Sequence, residues 1–320
     1  MDFKTGIIGS GTSVGGDVDL LIAGGGPAAL AAALYAARYG IDHVVIESYQ
    51  PGGQAALTAL IENYPGIMEI AGGDLAEKMK EQAEKWGGVF RMETVTSTTS
   101  REEDLVEVKT DSAVYNAKYL IIATGAAPAK LGVPGEDKFY GRGVSYCATC
   151  DAPFFKNKRV MVVGGGDSAV KESLHLADFA SHLTVVHRRN KFRAEPYLGK
   201  KLLSCDNCDV MWNTTVKSIE GGDGVEAVVL NTPDGETRVE VDGVFVYVGR
   251  RPSTEPFREL VDLNPDGTVK TVNVVHTSRK NVLAAGDVTD NELRQVVTAV
   301  ADGARAAAAV FDLMQQEGDV

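Results

Sequence analysis

The chain has 320 residues, 44% of them hydrophobic, which is enough to bury two ordinary cores. A formal charge of −12 excludes a surface built for nucleic acid or anionic lipid, because such surfaces neutralise phosphates with Lys and Arg. No apolar run approaches the roughly 20 residues of a membrane span, Met1 to Asp19 holds no apolar signal core, and four cysteines in two Cys-x-x-Cys pairs do not make a secreted disulfide framework, so a cytoplasmic protein is expected.

The first elements read clearly. Asp19 to Ala29 is an apolar strand, a Gly-rich turn and the start of an Ala-rich helix that runs to about Tyr39, followed by a short strand, Val44-Val45-Ile46-Glu47. Gly24 permits the tight turn, Gly26 lets a pyrophosphate approach the backbone at the helix N-terminus, and Ala29 keeps helix and strand close. Glu47, at the end of the second strand, suits hydrogen bonds to an unphosphorylated adenosine ribose. A buried strand, Tyr119 to Ala123, then ends in Thr124-Gly125.

Next comes Cys147-Ala-Thr-Cys150-Asp151. The short spacer closes a small ring, and in such pairs one thiol often titrates near about 7, so the pair can cycle between dithiol and disulfide. A structural pair or half of an all-thiolate zinc site with Cys205 and Cys208 is the rival reading. The first βαβ pattern then recurs 140 residues on without a gap, as Arg159 to Ala169, a helix through about Phe179, and Thr184-Val185-Val186-His187. Gly164, Gly166 and Ala169 take the places of Gly24, Gly26 and Ala29. Where the first copy has Glu47, the second begins His187-Arg188-Arg189, with Arg193 close behind; guanidinium forks there bind a 2′-phosphate that an acid would repel. Loop one therefore suits FAD and loop two NADPH. A dithiol beside two nucleotide loops points to reduction of a disulfide by a nicotinamide through a flavin.

Cys205-Asp-Asn-Cys208 lies between a helix and the strand Val210-Met-Trp-Asn213, with neither a basic cluster nor an apolar face expected around it. It reads as incidental or weakly redox-sensitive thiols, with a relay or metal role as the alternative. His175, His182 and His187 read as packing and surface residues, with His187 also placed to touch the adenosine ribose. Val282 to Val288 is a last buried strand before an Ala-rich helix from about Gln295 to Leu313, and the first βαβ unit needs both to complete its layers. The expected fold class is α/β, with two Rossmann-like domains and the NADPH domain (129–252) inserted into a discontinuous FAD domain (1–128 and 253–320). Hinges are expected in Gly125 to Gly135 and Gly249 to Ser253. No cysteine precedes Cys147, so dithiol and nicotinamide share one domain and take turns at one flavin by a domain rotation.

Taken together, Gly24-x-Gly26-Pro27-Ala28, Pro51-Gly-Gly53-Gln54, Glu62-Asn63-Tyr-Pro-Gly66, Ala123-Thr124-Gly125, Cys147 to Asp151, Gly164 to Ala169, His187 to Arg189, Phe192-Arg193-Ala194 and Ala285-Gly286-Asp287-Val288 resemble the low-molecular-weight thioredoxin reductases from about Asp19 to Leu313. Ala29, Ala152 and Gly249 to Ser253 depart from that family's usual pattern.

The resemblance implies an NADPH-dependent thioredoxin-disulfide reductase that works as a homodimer. It implies that Cys150 faces the flavin, that Cys147 attacks the thioredoxin disulfide, and that Asp151 gives and takes the proton. Around FAD it places Gly24, Gly26, Pro27, Ala28, Glu47, Gly53 and Gln54, with Thr124, Gly125 and Gly286; Asp287 lies on the ribityl chain, and Asn63, Arg294 and Gln295 lie near the isoalloxazine ring. Around NADPH it places Gly164, Gly166, Asp167, Ser168, His187, Arg188, Arg189 and Arg193. Arg142 and the Phe154-Phe155 pair are implied in docking thioredoxin. No metal is expected. A flavoprotein reductase of another thiol partner, glutaredoxin-like or a peroxiredoxin component, and a nucleotide-binding redox sensor are the alternatives.

Overall fold

A computed structural model of the chain describes residues 15–58, 60–102 and 105–318. The expectation of a signal-free start falls mostly on residues 1–14, outside the described residues. Two compact units divide the chain, one made of the described residues up to Ala126 and from Pro252, the other of Ala127–Arg251. The boundaries expected from the sequence were 128 and 252.

In the first unit β1 (Asp17–Ala23) enters Gly24, where φ is +110°, and α1 (Pro27–Arg38) follows. Pro27 takes the first helical position, where its missing N–H leaves nothing unpaired. Alanines 28, 29, 32, 33 and 36 form the buried face of α1, so the helix lies close on the sheet. β2 (His43–Glu47) runs parallel to β1, with Leu21 opposite Val44. After α2 (Gly53–Ala56) and α3 (Gly72–Lys85), β3 (Val89–Met92) adds to the outer edge of β2. The hairpin β4 (Val95–Glu102) and β5 (Leu105–Thr110) leads into β6 (Val114–Ile122). β6 does double duty: it pairs antiparallel with β5 near its start and parallel with β1 from Asn116 onward.

The chain crosses into the second unit at β7 (Ala126–Pro128) and continues through β8 (Val144–Ser145), α4 (Ala148–Asp151), β9 (Arg159–Gly164), α5 (Asp167–Ala177), β10 (His182–His187), α6 (Pro196–Leu203) and β11 (Cys208–Trp212). A meander, β12 (Thr215–Glu220), β13 (Ala227–Thr232) and β14 (Gly235–Glu240), precedes β15 (Gly243–Tyr247). The parallel sheet has the order β11-β10-β9-β15-β8. β14 and β15 together repeat the double duty of β6, separated by Val241 and Asp242, whose carboxylate accepts the Arg159 N–H at 2.8 Å. The internal repeat therefore extends past the two strands legible in the sequence to the third strand and the meander.

β16 (Arg250–Pro252) returns the chain and pairs with β7, so the two crossings form one ribbon. β17 (Val282–Ala284) then lies parallel to the end of β6, and α7 (Val296–Glu317) packs on α1. A Cβ on Gly303 would stand 1.9 Å from the Ala28 carbonyl oxygen, so the two helices touch at their backbones. Part of the segment expected as a hinge is tied down by hydrogen bonds. Buried Glu136 accepts the N–H groups of Leu131 and Gly132 at 2.8 and 2.7 Å and the Tyr146 hydroxyl at 2.7 Å, which ties residues 131–136 together.

Candidate redox and dinucleotide sites

Cys147 and Cys150 form a disulfide with their Cα atoms 5.4 Å apart. Ser145, at the end of β8, accepts the Cys147 N–H at 3.0 Å, and the Tyr247 hydroxyl, at the end of β15, accepts the Ala148 N–H at 2.8 Å. Two strand ends thus hold the motif rigidly. The Cys147 sulfur caps α4 by accepting the Cys150 N–H at 3.2 Å, a contact that favours negative charge on that sulfur once the bond is reduced. Cys147 is half-buried, Cys150 exposed, and Asp151 closes the same helical turn, its N–H on the Cys147 carbonyl at 3.2 Å.

Two residues beside the dithiol were not legible in the sequence. Burial pushes the Glu172 carboxyl of α5 up to about 7, against the opposing pull of the Thr149 side chain and the charges of Arg250 and Lys171. Burial, with the negative charges of Glu172 and Asp151, raises the Tyr247 hydroxyl far above its ordinary value, so it stays a neutral hydrogen-bonding group. Neither residue belongs to a motif; the only signal was that Tyr247 ends the strand next to the second Gly-rich loop.

The pair expected to dock a partner separates. Phe154 is 72% exposed, whereas Phe155 is buried edge-on against Phe245 and fills the space above Gly243. Phe154 alone remains at the surface, and Arg142 is exposed with its guanidinium on the Lys138 carbonyl. The expectation for Cys208 also needs correction: it opens β11 rather than preceding the strand, and it packs against the core of the unit, where no apolar face was expected. Among the described residues no three His, Cys, Asp or Glu side chains gather as metal ligands.

The two Gly-rich loops are crowded at corresponding positions. A Cβ on Gly24 would meet the Ala123 carbonyl oxygen at 2.3 Å, and one on Gly164 would meet the Tyr247 carbonyl oxygen at 2.3 Å. A Cβ on Gly25 would strike the Glu47 side chain at 2.7 Å, and one on Gly165 the His187 ring at 2.4 Å. Gly26 and Gly166, by contrast, have open space on that side, and neither α1 nor α5 has a side chain capping its N-terminus. Free N–H groups at a helix start with room for close approach are what a pyrophosphate requires, so both loops fit a dinucleotide.

Around the first loop, Gly52 donates its N–H to the Gly25 carbonyl at 2.7 Å and Gly53 packs against Gly26, which brings Gln54 on α2 close by. Glu47 keeps its carboxylate beside the loop, with one oxygen accepting the Tyr49 N–H at 2.9 Å. Asn63 and Gln295, 232 residues apart, meet through a hydrogen bond of 3.1 Å, and Gln295 caps α7. Arg294 beside it is exposed. Thr124 donates its hydroxyl to the Ser253 carbonyl at 2.8 Å, Gly125 has φ +63°, and Gly286, with φ +78°, leads into partly exposed Asp287.

Around the second loop, the 188–195 segment is tied down at two points: Arg193 N–H to the Gly165 carbonyl at 2.7 Å and Glu195 N–H to the Asp167 carboxylate at 2.8 Å. Ser168 is exposed at the start of α5. Arg188, Arg189 and Arg193 are exposed, and among the described residues none makes an ion pair. His187 lies beneath them, buried between Phe192 and Trp212; burial lowers its imidazole below the ordinary value, the three arginine charges add to this, and its Nε2 has no partner among the described residues.

A profile of the pyridine nucleotide-disulphide oxidoreductases matches residues 18–303. The chain belongs to this family. Within it, a thioredoxin reductase of Bacillus subtilis (strain 168) is 43% identical over 301 residues, 93% of this chain and 95% of the relative. Among solved structures, thioredoxin reductase of Lactococcus lactis superposes with a TM-score of 0.91 at 37% identity, and that of T. acidophilum with 0.89 at 33%; each match covers 93% of this chain and 99% of the other. Membership of the family accounts for the pairing of a redox disulfide with two dinucleotide folds, one inserted in the other.

Proposed function

We propose that the chain is an NADPH-dependent thioredoxin-disulfide reductase. The observation that carries the reading is the Cys147–Cys150 disulfide held by Ser145 and Tyr247 in the unit that also bears the second dinucleotide loop. FAD, when bound, accepts electrons from NADPH and delivers them to the disulfide. Gly24, Gly26 and Glu47 would hold its adenosine and pyrophosphate, and Asn63, Gln295 and Asp287 its far end; Gly164, Gly166 and the three arginines would hold NADPH. In the reduced protein the Cys147 thiolate, supported by the Cys150 N–H, attacks one sulfur of the thioredoxin disulfide and releases the other as a thiol. Cys150 then attacks the Cys147 sulfur, which restores the disulfide and frees thioredoxin with two thiols; Asp151 relays the protons. Phe154 and Arg142 are the docking contacts. Because the disulfide and the NADPH loop share a unit, the two half-reactions alternate by rotation at the β7–β16 ribbon.

The reading extends to a cytoplasmic homodimer. Among the described residues no helix is long and apolar enough to cross a membrane. The decisive measurement is steady-state NADPH oxidation with and without oxidised thioredoxin, using yellow, FAD-loaded protein. Thioredoxin-dependent turnover is expected, with Cys150→Ser trapping a mixed disulfide through Cys147. Oxidation that responds only to another thiol partner, or no turnover at all, would assign the chain to a different reductase or to a sensor.

A further inference from the structure

The reductase chemistry leaves one Cys-x-x-Cys unused. Cys205 follows α6, Cys208 opens β11, and the Cys208 N–H closes the turn between them on the Cys205 carbonyl at 3.3 Å. Such a turn keeps its first and fourth Cα atoms within about 7 Å, inside the span of a disulfide; the catalytic pair, with the same spacing, measures 5.4 Å. Asn207 pins the middle of the turn, donating its amide to the carbonyls of Ala177 and Ala180 at 2.9 and 3.1 Å, while its own carbonyl accepts the Leu183 N–H at 2.8 Å. Both thiols are free and partly exposed. They are also neighbours: burial first, then the Cys205 thiol beside it, pushes Cys208 up to about 12. The backbone turn thus holds the two residues within disulfide span before any bond joins them, which lowers the entropic cost of ring closure.

We propose that Cys205 and Cys208 form a second thiol–disulfide exchange site, which takes two oxidising equivalents from a low-molecular-weight disulfide independently of Cys147 and Cys150. The Cys205 thiolate attacks one sulfur of the small disulfide, forming a mixed disulfide and expelling one thiolate. Cys208 then attacks the Cys205 sulfur and expels the second thiolate. The two protons leave the protein on the two small thiols, the cysteine pair is oxidised by two electrons and the small disulfide is reduced by two. Cys205 goes first because burial holds the proton on Cys208 and exchange requires a thiolate.

The test uses wild-type protein as purified, without NADPH, treated with excess hydroxyethyl disulfide. Expected are the loss of both free thiols, a mass lower by two hydrogens with no adduct, a peptide linking Cys205 to Cys208, and full reversal by dithiothreitol; the same result is expected with Cys147→Ser/Cys150→Ser. Cys208→Ser should retain a stable hydroxyethylthio adduct on Cys205, and Cys205→Ser should react far more slowly. Wild-type protein that keeps both thiols, or that carries a lasting adduct on either cysteine, would overturn the proposal, as would a requirement for the catalytic pair.

Discussion

Charge at a single strand end separates the two nucleotide loops: Glu47 stands where the inserted unit has His187, Arg188 and Arg189. The arginines are exposed and free of ion pairs among the described residues, so nothing within the unit competes for them. A hydrogen bond to a charged phosphate is worth about 1.5–3 kcal/mol. Arg188→Ala with Arg189→Ala should therefore weaken NADPH roughly 10²–10⁴-fold and leave NADH use nearly unchanged, read from KM for the two coenzymes; an equal loss for both would remove the 2′-phosphate role. Glu172 gives a pH signature. Its carboxyl is pushed by burial from an ordinary 4.5 up to about 7 in the folded chain, so between those values the folded state holds the extra proton and stability falls as pH rises. Glu172→Gln should raise the unfolding temperature at about pH 8, by an amount equivalent to at most about 3 kcal/mol, and change little at about pH 4, where both states are protonated. A gain of equal size at both pH values would show that ionisation is not the cause. The Arg cluster was legible because it follows a recognisable strand; Glu172 was not, because nothing in a helical Lys-Glu pair shows that α4 and β15 will close over it.

The elements that were legible are those whose glycines are forced. Gly24 and Gly164 adopt positive φ with a carbonyl oxygen where a Cβ would be, and both loops were readable for that reason. The meander strands carry no such mark, and the division of labour between β14 and β15, or within β6, depends on pairing that only the folded sheet reveals. Phe154 and Phe155 were read as one patch because adjacent aromatics look alike; the short 3₁₀ turn that carries them points one outward and the other into the core. The contrast within one loop is testable. Gly164→Ala should cost more than about 2 kcal/mol of stability, since its φ is +152° and Tyr247 blocks the site. Gly166→Ala should stay within about 0.5 kcal/mol of wild type, yet raise KM for NADPH at least about tenfold, because its methyl would occupy the open space a pyrophosphate needs. Unfolding curves and coenzyme kinetics on the two variants separate these effects; equal stability loss in both would mean that the open side of Gly166 is not a ligand space.

At the scale of the whole molecule the insertion was legible because the first βαβ unit lacked strands that reappear only after residue 252, as β17 and α7. Along Gly125 to Gly135, where a hinge was expected, no sequence pattern announces that Glu136 will turn back and bind its own approach. What remains is the paired ribbon, and its geometry bears on how such a protein comes to exist. The Ala129 N–H meets the Gly249 carbonyl at 2.9 Å on the inserted side, and the Ser253 N–H meets the Gly125 carbonyl at 3.0 Å on the host side. Both ends of the insert therefore leave the host at one seam. Removing 127–251 and rejoining the cut ends through two glycines should give a chain that still folds and takes up FAD, with visible absorbance but no NADPH oxidation; an insoluble product would show that the host depends on its guest. With both ends of the insert at one seam, the inserted module interrupts the host at a single place in the fold, so its reductant loop and its disulfide form a cassette that can be exchanged without rebuilding the host sheet.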